Sequence, residues 1–139
     1  MLIKLPCALD AQLQRDAGLS HFEYQVMARL SEAPERSLRM SELAVLANGS
    51  LSRLSHVVNR LQGRGWVRRG PDPADGRFTL AVLTVEGWEK VVETAPGHVE
   101  AVRSFVFDAL SEEQAKQLNE IGYRIIKAID PSDDCLPGH

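Results

Sequence analysis

Gly49-Ser-Leu-Ser-Arg-Leu-Ser-His-Val-Val-Asn-Arg-Leu-Gln-Gly-Arg-Gly-Trp-Val-Arg-Arg-Gly-Pro-Asp-Pro-Ala-Asp-Gly-Arg77 joins an amphipathic segment to a glycine- and proline-punctuated, arginine-rich one. Wound at about 100° per residue, residues 51 to 61 separate into two faces. Leu51, Leu54, Val57, Val58 and Leu61 fall on one; Ser52, Arg53, Ser55, His56, Asn59 and Arg60 fall on the other. An ordinary solvated helix face carries Glu and Lys in i,i+4 pairs. This one holds no acid. Its hydroxyls, amide, imidazole and two guanidiniums are groups that bond phosphate oxygens and base edges.

The residues after this helix continue the same reading. Gly63 and Gly65 stop it, and Trp66-Val67-Arg68-Arg69 reads as a short strand. Pro71 to Gly76 is a turn-rich tip, because Pro fixes φ and Asp-Gly accepts positive φ. Phe78 to Leu83 alternates and is β-prone, so it reads as the returning strand. Helix, strand, turn and returning strand make the second half of a winged helix. Arg77 lies just past the tip, and an Arg on a thin β-loop can enter a narrow minor groove while the helix lies in the adjacent major groove.

Upstream, Asn48-Gly49 makes a turn for which Ser50 is the expected helix cap, and Ser41 to Ala47 reads as a brief helix capped by Ser41. Two short helices joined by a Gly-containing turn are a helix-turn-helix whose second helix enters the groove. Leu38-Arg39-Met40 is a connector or strand. Ser20-His21-Phe22-Glu23 is a capping box, opening a helix that buries Phe22, Val26, Leu30 and Ala33 and stops at Pro34. Residues 2 to 17 carry Leu2, Leu5, Leu9 and Leu13 at helical spacing, and Gly18 ends that helix. Downstream, Thr84 caps a helix containing Trp88, Val91 and Val92, with a kink or break expected at Pro96-Gly97. A further apolar set runs from Val99 to Ala109. Ser111 to Gln114 is a second capping box, and the last helix shows a stripe of Ala115, Leu118, Ile121, Ile125, Ile126 and Ile129. Asp130 to His139 is acidic and expected to fray.

The fold expected is mostly helical with a small β-wing, one domain over 1–139. Its winged helix-turn-helix core spans about 20–84, and dimerisation helices span about 2–17 and 85–129. Those flanking helices carry more apolar stripe than one small module covers, which favours burial against a second copy of the chain, and reading two half-sites rewards a dimer.

Composition frames this reading. The 139 residues are 44% hydrophobic, enough for a packed core, and no apolar run approaches the length of a membrane span. No secretory leader opens the chain, so a cytoplasmic location is expected. The net charge of −3 hides a strong segregation. Gly49 to Leu80 holds six arginines against Asp72 and Asp75, so the rest of the chain is acidic, and it is the local field that a DNA backbone meets. Cys7 and Cys135 form neither a CxxC pair nor a disulfide framework. No metal or cofactor motif occurs, and GxSxG, Walker, HExxH and dinucleotide signatures are absent, which argues against an enzyme. A winged helix devoted to protein contacts is the rival reading. It would need an apolar or acidic recognition face, which Arg53, Arg60 and Arg77 oppose. Trp66 and Trp88 read as core plugs rather than stacking platforms.

From Leu13 to Ile126 the sequence resembles the MarR (multiple antibiotic resistance regulator) family. The resemblance is carried by Gly18-Leu19-Ser20, Leu38 to Ala44, Leu51-Ser52-Arg53-Leu54-Ser55, Arg60-Leu61, Gly65 to Arg69, Asp72 to Arg77 and Val82 to Gly87. It implies a winged-helix homodimer that controls transcription, commonly as a repressor of a palindromic operator in double-stranded DNA. Release by small phenolic or other aromatic ligands, or by cysteine oxidation, is also implied. By position, Ser50, Ser52, Arg53, Ser55, His56, Asn59 and Arg60 would be the DNA contacts of the recognition helix. Arg69, on the strand leading into the wing, is counted with them. Arg77 would be the wing-tip arginine, and Asp75 would brace the wing. Cys7, in the first helix, is where oxidation-sensing relatives keep a cysteine. The departure is the first helix, which begins only about four turns before Gly18, where family members usually have a longer one.

Overall fold

The computed structural model describes residues 1–132. It divides into two compact units, Met1–Val99 and Glu100–His139. Cys135 and the acidic tail beyond Ser132 lie outside the described residues.

In the first unit, α1 spans Lys4–Ala17, with Met1, Leu2 and Ile3 ahead of it and exposed. Of its leucines, Leu9 and Leu13 are buried. Gly18 closes it at φ 65, a left-handed conformation that glycine adopts without a Cβ penalty, and its N–H bonds back to the Gln14 carbonyl at 3.2 Å. The capping box forms as expected: Ser20 Oγ accepts from Glu23 N at 3.0 Å, and Glu23 Oε1 accepts from Ser20 N at 3.1 Å. It opens α2, His21–Glu32. A 3₁₀ turn at Pro34–Arg36 leads to β1, Ser37–Arg39, and directly into α3, Met40–Leu46.

Ser41 is therefore not a cap. The N-cap is Arg39, extended at the end of β1, and its side chain makes no capping bond. That guanidinium instead donates to Asp72 Oδ2 at 2.9 Å in the wing. The strand and the helix share a junction, and the junction moves the cap two residues upstream, from Ser41 to Arg39.

Asn48, at φ 58, turns the chain into α4, Leu51–Gly63. Leu54, Val57, Val58 and Leu61 are buried as their spacing requires. Leu51 is not: it is 55% exposed. It stands in the first turn at the edge of the apolar stripe, where the stripe runs off the core. After Gly65 (φ 79) come β2, Val67–Pro71, and β3, Thr79–Leu83. The sheet is antiparallel in the order β1-β3-β2, with Ser37 opposite Val82 and Val67 opposite Leu83.

Thr84 then works twice. Its hydroxyl donates to the Gly65 carbonyl at 2.7 Å and accepts from Gly87 N at 3.0 Å, so it caps α5 (Val85–Phe105) and ties it to the end of α4. A Cβ at Gly87 would overlap the carbonyl oxygen of Trp66, so only glycine permits this approach of α5 to the root of the wing. The helix is continuous through Pro96, so of the kink or break expected there the break does not occur. Pro96 and Val92, the residue to which it cannot donate, are both exposed, and a hydrogen bond is lost most cheaply on the solvated side.

One core holds this unit together. Leu13, Leu19, Val26, Met27, Leu30, Leu43, Leu54, Val58 and Leu61 are fully enclosed, and Phe22, Trp66 and Trp88 pack against the cluster. Two polar side chains cross it: His98 Nδ1 donates to Gln12 Oε1 at 3.0 Å, joining α5 to α1, while Tyr24 covers the imidazole with ring centroids 4.7 Å apart.

The second unit contains the end of α5, a 3₁₀ turn at Phe107–Ala109, and α6, Glu112–Ile129. The expected capping box opens α6, with Ser111 Oγ and Gln114 Oε1 each accepting from the other residue's N–H. No residue of α6 is buried. Ile121 and Ile125 are each 55% exposed and Ile129 is 79% exposed, while Ala115, Leu118 and Ile126 are partly buried, so half of the apolar stripe read from the sequence is left uncovered.

Candidate nucleic-acid interface

The residues singled out for DNA lie on α4 and the β2–β3 wing, and the fold presents them in different ways. Ser50 stands ahead of α4 with its Oγ accepting from Arg53 N at 3.1 Å, so its hydroxyl is engaged in capping. Ser52, His56, Asn59 and Arg60 line the exposed side of the helix. Their side chains make no hydrogen bond or ion pair with other described residues. No acid lies between Leu51 and Gly63. The face thus offers donors and cations to a polyanion, with no carboxylate to repel it.

Arg53 and Ser55 are held by neighbours. The Arg53 guanidinium lies over the Phe22 ring, its Cζ 4.0 Å from the centroid. Ser55, half-buried, receives Arg69 from β2: one guanidinium nitrogen donates to the Ser55 carbonyl at 2.7 Å and to its hydroxyl at 3.1 Å. Arg69 therefore ties the strand of the wing to α4. Arg64 acts similarly at the other end of the helix, donating to the Gly18 carbonyl at 2.9 Å while stacking on Trp66 at 4.0 Å.

The wing is built from its own side chains. Asp72 accepts from Ala74 N at 2.9 Å through Oδ1 and from Arg39 through Oδ2, while its backbone N–H reaches the Phe78 carbonyl at 2.9 Å. Arg39 also stacks over Phe78 at 4.0 Å, which clamps the base of the wing to β1. Those bonds hold the Asp72 carboxyl below its usual range, the Ala74 N–H contributing most and the Arg39 guanidinium next. At the tip, Asp75 takes both the Arg77 side chain, at 2.7 and 3.0 Å, and the Arg77 backbone N–H at 3.2 Å. The Arg77 guanidinium holds the Asp75 carboxyl below its ordinary value in turn. Arg77 itself is 84% exposed, so its charge projects into solvent from a braced loop.

Sequence reasoning assigned Phe22 to the core and missed its contact with Arg53. It also gave no role to Arg39 or Arg64. Phe22 and Arg53 lie in different helices, and no local spacing links them.

A MarR family model matches residues 17–77, which hold α2, β1, α3, α4 and the wing up to Arg77. Among solved structures, Sco3205, a MarR family transcriptional regulator from Streptomyces coelicolor crystallised in complex with DNA, is 50% identical. It superposes with a TM-score of 0.89 over 96% of this chain and 86% of that one. AbsC, a MarR family transcriptional regulator from the same organism, is 34% identical with a TM-score of 0.86, covering 93% of this chain and 86% of its own. The curated transcriptional repressor MprA of Escherichia coli K12 is 24% identical over 113 residues, or 81% of this chain, and the match spans only 64% of MprA. The match in fold and sequence to Sco3205 and AbsC extends over nearly the whole chain, and on that ground the chain belongs to the MarR family.

Proposed function

We propose that the protein is a sequence-specific DNA-binding transcriptional regulator, acting as a repressor on a palindromic operator. The observation that carries this reading is the exposed, acid-free face of α4, with Ser52, His56, Asn59 and Arg60 unpaired among the described residues, beside a wing that holds Arg77 out into solvent. Arg53, Arg60 and Arg77 supply charge to phosphates and donors to base edges, while Ser50, Ser55 and Arg69 position the helix and its wing. That the relative Sco3205 was crystallised with DNA supports the same reading. The chain is read as a regulator rather than an enzyme, at work in the cytoplasm. No described helix is long and apolar enough to cross a membrane.

The working form is a homodimer of one MarR-like domain per chain, each winged core flanked by dimerisation helices. The uncovered half of the α6 stripe, with Phe105 and Phe107 also about half exposed, supplies an apolar face of the kind a second copy covers. Two reading heads then meet two half-sites about one helical turn apart. Release by a small aromatic or phenolic ligand is supported by a groove of about 880 Å³ between α1 and the helix-turn-helix, lined by Pro6, Cys7, His21, Gln25, Arg29 and Asn48. Cys7 is a free, exposed thiol on that groove, and it gives oxidation a route to the same site.

The test is selection of bound duplexes from a random pool, with sedimentation of the free protein. A two-fold symmetric motif and a dimer are expected. Absence of any enriched motif would overturn the reading.

A further inference from the structure

Phe22 is the second residue of α2, yet its ring reaches two elements outside that helix. One edge lies against the turn of the helix-turn-helix: a Cβ at Gly49 would come within 2.7 Å of its Cζ and 3.0 Å of its Cε2. Its face carries the Arg53 guanidinium at 4.0 Å. Packing against the core fixes the ring itself. Arg53 is thus held twice, its backbone N–H by Ser50 Oγ and its guanidinium by Phe22, whereas the side chains of Ser52, His56, Asn59 and Arg60 have no comparable hold among the described residues.

An arginine reads guanine through two parallel bonds to O6 and N7, which demands a set orientation of the guanidinium plane. A long side chain free in solution must be ordered when it binds, and one already stacked on a fixed ring is ordered in advance. Stacking leaves the N–H edge of the fork available, because the π contact uses the face of the plane. We propose that Phe22 is a positioning residue that presets Arg53 for base reading, and so sets the base preference at the operator position Arg53 reaches. This inference rests on the DNA-binding function proposed above.

The experiment measures affinity for the selected duplex and for each of its single-base variants. The proteins are wild type, Phe22→Met, Phe22→Leu, Phe22→Tyr, Arg53→Ala and the double variant Phe22→Met/Arg53→Ala. Thermal unfolding of each free protein confirms folding, and the two ring-free variants differ in packing, so one unfolded protein leaves the comparison standing. Phe22→Met and Phe22→Leu are expected to lose about two- to fivefold in affinity, the scale of an exposed cation–π contact. That loss should be confined to the base pair at which Arg53→Ala flattens preference. Phe22→Tyr keeps the π face and should keep the preference. In the Arg53→Ala background, Phe22→Met should change nothing further, as the arginine it positions is gone. A loss spread evenly over all base pairs, or undiminished in the Arg53→Ala background, overturns the inference and leaves the function in place. A wild-type protein that enriches no motif overturns both.

Discussion

Arg77→Ala separates binding from folding more cleanly than any other substitution in this protein. The side chain is 84% exposed and its partner in the fold is Asp75, two residues away. Removing it uncovers no apolar surface and breaks no contact between elements, so the thermal midpoint of the free protein should stay where it is. The effect should appear in DNA affinity alone. Loss of one groove-reading arginine corresponds to about 5- to 150-fold, concentrated on duplexes with A·T-rich flanks where the minor groove is narrow. Asp75→Ala supplies the decisive sign. If the wing acted only through net charge, deleting a carboxylate near DNA would tighten binding. Here Asp75 accepts both the guanidinium and the backbone N–H of Arg77, so its removal loosens the loop that presents the arginine. Affinity should therefore fall, by up to about fivefold, the ceiling for an exposed ion pair. Fluorescence anisotropy on the selected duplex at several salt concentrations measures both variants. Unchanged affinity for Arg77→Ala, or tighter binding for Asp75→Ala, would refute the reasoning.

Leu54→Ala opens a cavity at a fully enclosed position of α4 and should destabilise the protein by about 2–5 kcal/mol, read from denaturant melts. Gly87→Ala would drive a methyl into the Trp66 carbonyl, so both the melting temperature and DNA affinity should drop; a neutral result would show that α5 and the root of the wing are not closely apposed. Burial pushes His98 below the usual histidine range, with the neighbouring His21 adding to the effect, and burial lowers His21 as well. The unfolded chain therefore takes up protons more readily than the folded one, so stability present above about pH 6.5 should decline as pH falls through that value. His98→Gln should flatten that decline in melts run from pH 7.5 to 5.

Local chemistry made much of this fold legible. The capping boxes at Ser20 and Ser111, the Ser50 cap and the apolar stripe from Leu54 to Leu61 each lie within a few residues, and each formed. The wing tip turns as well, with Phe78 N bonded to the Asp75 carbonyl at 3.1 Å, although Pro71, read as part of the tip, belongs to β2. The misreadings arose where a distant partner intervened. Ser41 lost the cap position because β1 runs straight into α3, while Arg39 bonds Asp72, 33 residues away. Other contacts between elements were equally invisible in the sequence: the Arg69 guanidinium bonds the Ser55 carbonyl, 14 residues away. Gln12 and His98 meet across 86 residues, and Phe22 meets Arg53 across two helices. No periodicity or motif encodes such pairs. They exist only once the core has brought α1, α2, α4 and α5 together.

The exposed face of α4 is held to read base sequence, and the most direct measurement of that is the ratio of affinities for the selected duplex and a scrambled duplex of equal composition, at one fixed salt concentration. Wild type should show a ratio of at least about a thousandfold, and Arg53→Ala a marked fall with little change on the scrambled duplex. Equal affinity for the two duplexes, or an Arg53→Ala variant that weakens both alike, would contradict base reading and mean that the arginines of this face hold phosphates alone.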